Sequence, residues 1–208
     1  MILEKFNSVL ATNHKSSAQI GDFELVNSEL RENGAVMRLC YCEVKNKKEK
    51  KWLMDQIIYI SVDLYNNQLK NIPDCKLSKD DIDNKIILNE FNNSFFNIIE
   101  STKKEGGGNL FNYVDPEIID LGVPMISNSI TFDQNDQCHL TQLYLTSLKN
   151  NFLKFHMNVH LFSKSLEYDK EIFQNIWLNM ANDLKREARK KSNSFINEFI
   201  RISLNIEN

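Results

Sequence analysis

Phe152-Leu153-Lys154-Phe155-His156-Met157-Asn158-Val159-His160-Leu161-Phe162 is the stretch whose reading decides the fold. Phe155, Met157, Val159 and Leu161 alternate with Lys154, His156, Asn158 and His160, the period-two pattern of a strand with one buried face. Asn150-Asn151 predicts a turn just before it, and residues 138–148 read as the strand on the far side of that turn. Further upstream Ile126, Ile130 and Phe132 mark another strand, closed by the turn residues Asp133–Asp136 and entered irregularly past Pro116 and Pro124. Downstream, Phe173, Ile176, Trp177, Met180, Leu184, Phe195, Phe199 and Ile202 recur at helical spacing and predict a long helix over 169–205. About 37 residues at 1.5 Å each would reach roughly 55 Å, longer than a compact domain of this size. The helix is therefore expected to break near Ser192–Ser194 or, the favoured reading, to protrude and offer Phe195 and Phe199 to a partner or a second copy.

The first half of the chain repeats this order. Residues 2–12 read as a short amphipathic helix and 23–29 as a weak strand. Residues 35–45 and 51–64 form a hairpin around the charged turn Asn46–Lys50, with Ile58, Ile60, Val62 and Leu64 on one face and Asp63 on the other. Ile82, Ile86, Ile87, Phe91, Phe95, Ile98 and Ile99 then predict a helix over 79–103. Between the halves lies Gly106-Gly107-Gly108-Asn109, half of the six glycines in one run, and glycine runs are flexible for want of a Cβ. The fold class is α+β: antiparallel strands in two groups (about 23–64 and 125–162), each followed by a long helix. Residues 1–105 and 110–208 stand as two halves, either side of the break or around a shared core, and the parallel order admits a weak internal duplication.

Composition narrows the function. The 208 residues carry 42% hydrophobic and 25% charged residues with a net charge of −3, a globular balance unlike that of a basic nucleic-acid coat protein. No apolar run approaches the ~20 residues that span a bilayer, and the first residues lack the basic-then-apolar order of a secretion signal. The 27 asparagines, and 20 lysines against 5 arginines, suggest an AT-rich coding sequence of microbial or viral type. Cys40, Cys42, Cys75 and Cys138 are too scattered for a disulfide scaffold and fit reduced thiols in the cytoplasm.

Each chemical motif meets a physical obstacle. His156 and His160 share a strand face but lie about 13 Å apart along it, too far to hold one metal at ~2 Å. Cys40 and Cys42 lack the turn of a zinc knuckle and have no second pair. The glycine run follows a helix and precedes no Lys-Ser/Thr, which excludes a phosphate loop. Asp55 and Asp63 are about 26 Å apart on an extended strand, and Asp133 and Asp136 suit a turn better than a magnesium site. No cofactor or metal is expected.

What remains is a non-catalytic protein-interaction protein of inhibitor, immunity or adaptor type. Its partner would be another protein or complex, and the acidic stretch 55–144 would suit a basic or nucleic-acid-binding one. The partner surface is expected on Lys154, His156, Asn158 and His160, read as a solvated row, and on Phe195 and Phe199, with self-association through the C-terminal helix. Two alternatives stand beside it. Lys47, Lys48, Lys50 and Lys51 with Lys185, Arg186, Arg189, Lys190 and Lys191 could form one basic patch for nucleic acid, or His156 and His160 could serve a small enzyme.

Overall fold

The computed structural model describes residues 19–31, 36–49, 52–66, 69, 71–78, 80–81, 83–105, 107–113, 115–134, 137–163 and 170–204. Side chains are described outside 44–57, 107–113, 133–138, 160–185 and 204. The strands are β1 (Gln19–Ile20), β2 (Phe23–Arg31), β3 (Val36–Glu49) and β4 (Trp52–Tyr65), followed by α1 (Asn84–Lys104). Then come β5 (Gly107–Tyr113), β6 (Glu117–Asp120), β7 (Pro124–Gln134), β8 (Gln137–Leu148), β9 (Asn151–Ser163) and α2 (Lys170–Leu204).

All nine strands join one antiparallel sheet in the order β1-β2-β3-β4-β9-β8-β7-β5, with β6 also on β7. The α+β class therefore stands, but the two strand groups of the sequence reading are halves of a single sheet. They meet at β4 and β9, where Ile60 lies opposite Met157 and Asp63 opposite Lys154. Twelve residue pairs, from Met54–Ser163 to Tyr65–Phe152, close that seam, so that almost no hydrogen-bonding edge is left unpaired in the middle of the sheet.

Alternation then sends apolar residues to both faces, and each face takes one helix. On one side Tyr41, Ile58, Ile60, Val62, Phe155, Met157 and Val159 pack with Phe195, Ile196, Phe199 and Ile200 of α2. On the other, Ile126, Ile130, Leu143, Leu145 and Phe152 pack with Ile87, Phe91 and Phe95 of α1. A two-fold axis normal to the sheet at the β4–β9 seam would carry both helices to one face. They lie on opposite faces, so the duplication that the element order admits is not expressed as that symmetry.

Phe195 and Phe199 correct the expectation of a protruding partner surface: they are 2% and 3% exposed. The Phe195 ring meets Tyr41 and Phe23 edge-on at 4.9 and 5.3 Å, and Phe199 meets Phe155 at 5.4 Å. The helix runs unbroken from Lys170 to Leu204, and its second half lies on a sheet eight strands wide, about 34 Å between the outer strands at about 4.8 Å spacing. Reading the sheet as two groups hid that width. Self-association through this face loses its surface for the same reason.

Three boundaries also move. Gly107 and Gly108 begin β5 and Lys103–Lys104 end α1, so the glycine run is the entry to a strand whose register slips twice against β7. In the first hairpin β3 continues to Glu49, opposite Trp52, leaving only residues 50 and 51 between the strands. The β8–β9 turn is Lys149-Asn150, both at positive φ (48° and 64°). Two left-handed residues in a two-residue loop give the strand twist of a type I′ hairpin. The expected helix over 2–12 lies outside the described residues.

Candidate functional site: a polar chamber and an open sheet edge

On the α1 side the sheet carries a polar band. Register places Arg38, Asp63 and Lys154 side by side across β3, β4 and β9, with His156 and Asn158 further along β9 beside Leu143 and Thr141 of β8. The buried stripe of α1, Ile87, Phe91 and Phe95, runs on through half-buried Ile98 to Thr102, while Ser94, Asn97 and Ser101 flank it beside the band, the last two exposed. A chamber of about 400 Å³ lies between this flank and the sheet, with Ile98, Phe132 and Leu143 as its apolar walls.

Asp63 organises one end. It is 2% exposed and accepts two bonds from the Arg38 guanidinium, Nε at 2.5 Å and Nη2 at 2.6 Å. The Lys154 ammonium stands 3.4 Å from Oδ2, the oxygen that also accepts from Nη2, and 5.2 Å above the Tyr65 ring. The bond to Asp63 holds the Arg38 pKa above its ordinary value, partly offset by burial. Tyr65 donates its hydroxyl to Glu90 at 2.7 Å, and burial with that carboxylate pushes the phenol far up. Thr141 donates to Asn158 Oδ1 at 2.6 Å. His156 is held down to about 4, first by burial and then by Lys154; its Nε2 is sealed from water with no hydrogen-bond partner.

The alternation puts Lys154, His156 and Asn158 on one face, but the row is half-buried rather than openly solvated, because α1 lies alongside it. His160 shares that register, opposite His139 and Ile57, and its side chain lies outside those described. His139, which the sequence reading passed over, lines the chamber stacked on Phe132 at 5.2 Å. Arg38 and Asp63 were also missed as a pair; 25 residues separate them, and only the strand register brings them together.

The basic runs are partly neutralised by the fold. Arg189 pairs with Glu117, and Lys191 bonds both carboxylate oxygens of the buried Glu43 at 2.5 Å. Arg186 and Lys190 are exposed. The side chains of Lys47, Lys48 and Lys185, and the whole of Lys50 and Lys51, lie outside the described residues. Cys40 and Cys42 are free thiols on the α1 side of β3, and burial raises both pKa values. Among the described residues no group of three or more His, Cys, Asp or Glu is placed to hold a metal.

The second feature is the β2 edge. β1 covers it only at Phe23 and Glu24. From Leu25 to Arg31 its outer backbone groups have no strand partner among the described residues. A bulge between Leu25 and Asn27 interrupts the run, and Val26 and Leu30 are 58% and 65% exposed.

No protein-family model matches the chain, and no curated protein is significantly similar to it in sequence. No helix among the described residues is long and apolar enough to cross a membrane.

Proposed function

We propose that the chain is a non-catalytic protein-interaction protein of inhibitor, immunity or adaptor type, and that it captures its partner at the β2 edge by strand addition. The observation that carries this reading is the stretch 25–31, which has no outer strand partner among the described residues and carries two exposed aliphatic side chains. An edge strand offers alternate N–H and C=O groups outward, and natural sheets normally blunt such an edge with charges, proline or a covering loop. Here Glu29 and Arg31 supply charge, but they pair with each other. A strand docked there would satisfy the free backbone groups while Val26 and Leu30 give side-chain selectivity. The Arg38–Asp63–Lys154 cluster supports the non-catalytic reading as well: its carboxylate is committed to two cations, and the neighbouring imidazole makes no bond to an acid.

The test is affinity capture from the native source with the wild-type chain and a Val26→Lys, Leu30→Lys variant of matched thermal stability. The expected result is a stoichiometric protein partner held by the wild type and lost by the variant. A partner held equally by both would remove the edge from the account, and turnover of a substrate by the purified chain would remove the non-catalytic reading.

A further inference from the structure

The geometry points to the chamber beneath the second half of α1 as a binding site for a small hydroxylated organic anion, a sugar phosphate or a hydroxycarboxylate, its anionic group seated between Arg38 and Lys154. This inference is independent of the β2 edge.

Three observations converge on it. The first is the space itself. Past Phe95 the helix does not close onto the sheet: a chamber of about 400 Å³ remains, with apolar walls at Ile98, Phe132 and Leu143 and with Ser94, Asn97 and Ser101 along the helix flank. That volume lies near the lower end of the ~300–1,000 Å³ typical of small-molecule sites.

The second is local charge. Of the charged side chains lining this end of the chamber, Arg38 and Lys154 are cations and Asp63 is the acid, an excess of one positive charge; Glu29, opposite Arg38 on β2, also acts on it but is paired with Arg31 and does not line the chamber. Asp63 takes two of the five guanidinium N–H donors. The side chains of Arg38 and Lys154 remain 25% and 21% exposed, whereas Asp63 is 3% exposed. All three line the chamber, and the two cations keep more exposed surface than the acid does. Glu105 also lines the chamber, but it lies eleven residues, about 16 Å, along α1 from Ser94, and Ser94 hydrogen-bonds Tyr65 beneath Lys154. An anion at the Arg38–Lys154 end is therefore remote from it. Glu90 is occupied by the Tyr65 hydroxyl and does not line the chamber.

The third is what lies beyond the cations. Asn97 and Ser101 on the helix face Thr141 and Asn158 on the sheet, a set of donors and acceptors suited to the hydroxyls of an extended ligand. His156 contributes a neutral wall next to Lys154, so the site adds no second acid to compete with the anion.

The experiment is titration of the full chain at pH 7 with ribose 5-phosphate, gluconate, ribose and inorganic phosphate. Calorimetry and the imidazole nitrogen signals of His156 are the two readouts. The expected result is saturable binding of ribose 5-phosphate or gluconate at least tenfold tighter than ribose or phosphate, and which of the two binds identifies the source of the anion. In the complex the His156 titration should move to higher pH. Lys154, Arg38 and Asp63 are the charged groups around it, the facing α1 side chains Ser94, Asn97 and Ser101 are uncharged, and the ligand adds a negative charge. Lys154→Met should weaken binding tenfold or more, and Ser101→Phe, at an exposed helix position that need not disturb the ion pairs, should block it. Failure of both hydroxylated anions to bind, binding no tighter than that of ribose or phosphate, an unmoved His156 titration, or binding indifferent to both substitutions would each overturn the inference.

Discussion

Asp63 shows how one buried charge can fix a neighbourhood. Removing it by Asp63→Ala leaves Arg38 and Lys154 facing each other across a space too enclosed for full hydration, and stranding one side of a buried pair costs more than the pair itself contributes. Because Arg38 is a quarter exposed, the loss should be about 2–4 kcal/mol by urea unfolding. A loss under about 0.5 kcal/mol would mean that water screens the cluster as it does a surface pair. His156 makes a prediction in pH. Its folded value of about 4 lies below the ordinary 6.5, so the unfolded chain takes up a proton first as the pH falls. The stability that comes from keeping the ring neutral is whole above about pH 6.5, declines down to about pH 4, and is level below that. Between pH 7 and pH 5 the wild type should lose about 2 kcal/mol more than a His156→Gln variant. Equal slopes in the two proteins would place the imidazole in water.

Residue chemistry was only half legible in the sequence. Alternation assigned Lys154, His156 and Asn158 to a common face, since side-chain direction in a strand is a local property. Whether that face meets water or a helix is not local; it depends on where α1 returns, some 60 residues earlier in the chain. The Arg38–Asp63 pair was hidden for the same reason, since register across a hairpin is set by its loop, and the loop was read as five residues where the strands leave two.

At the scale of elements, α2 carries the clearest energetic consequence. Phe195, Ile196, Phe199 and Ile200 are each 3% exposed or less, and burying such a side chain contributes about 1.5–3 kcal/mol. Four of them match the whole net stability of a typical domain, about 5–15 kcal/mol. Truncation after Lys191 should therefore abolish cooperative unfolding rather than merely weaken association. Phe195→Ala alone should cost about 3–5 kcal/mol. A truncated chain that still melts sharply would show that the layer on this face is dispensable. The helical period of α2 and of α1 was plain in the sequence, as were β3, β4, β8 and β9. β5 and β6 were not: β5 opens on two glycines and slips register twice, and four residues of β6 are too few to show a period. Pairing with β7, not their own propensity, holds both as strands.

For the whole molecule, the decisive fact is that β4 and β9 join the two halves of the chain into one sheet with a helix on each face. A sheet closed in its middle must end somewhere. On one side β7 is covered by both β5 and β6, while on the other, among the described residues, two residues of β1 cover a nine-residue β2. That asymmetry is the basis of the proposed docking edge, and hydrogen exchange of the full-length free chain tests it most directly. The slowest amides should be those of β4 and β9, near the global unfolding limit, while the outward-facing amides of residues 25–31 exchange orders of magnitude faster. Protection across 25–31 as strong as that in β4 would show the edge already occupied within the chain, and would contradict the account.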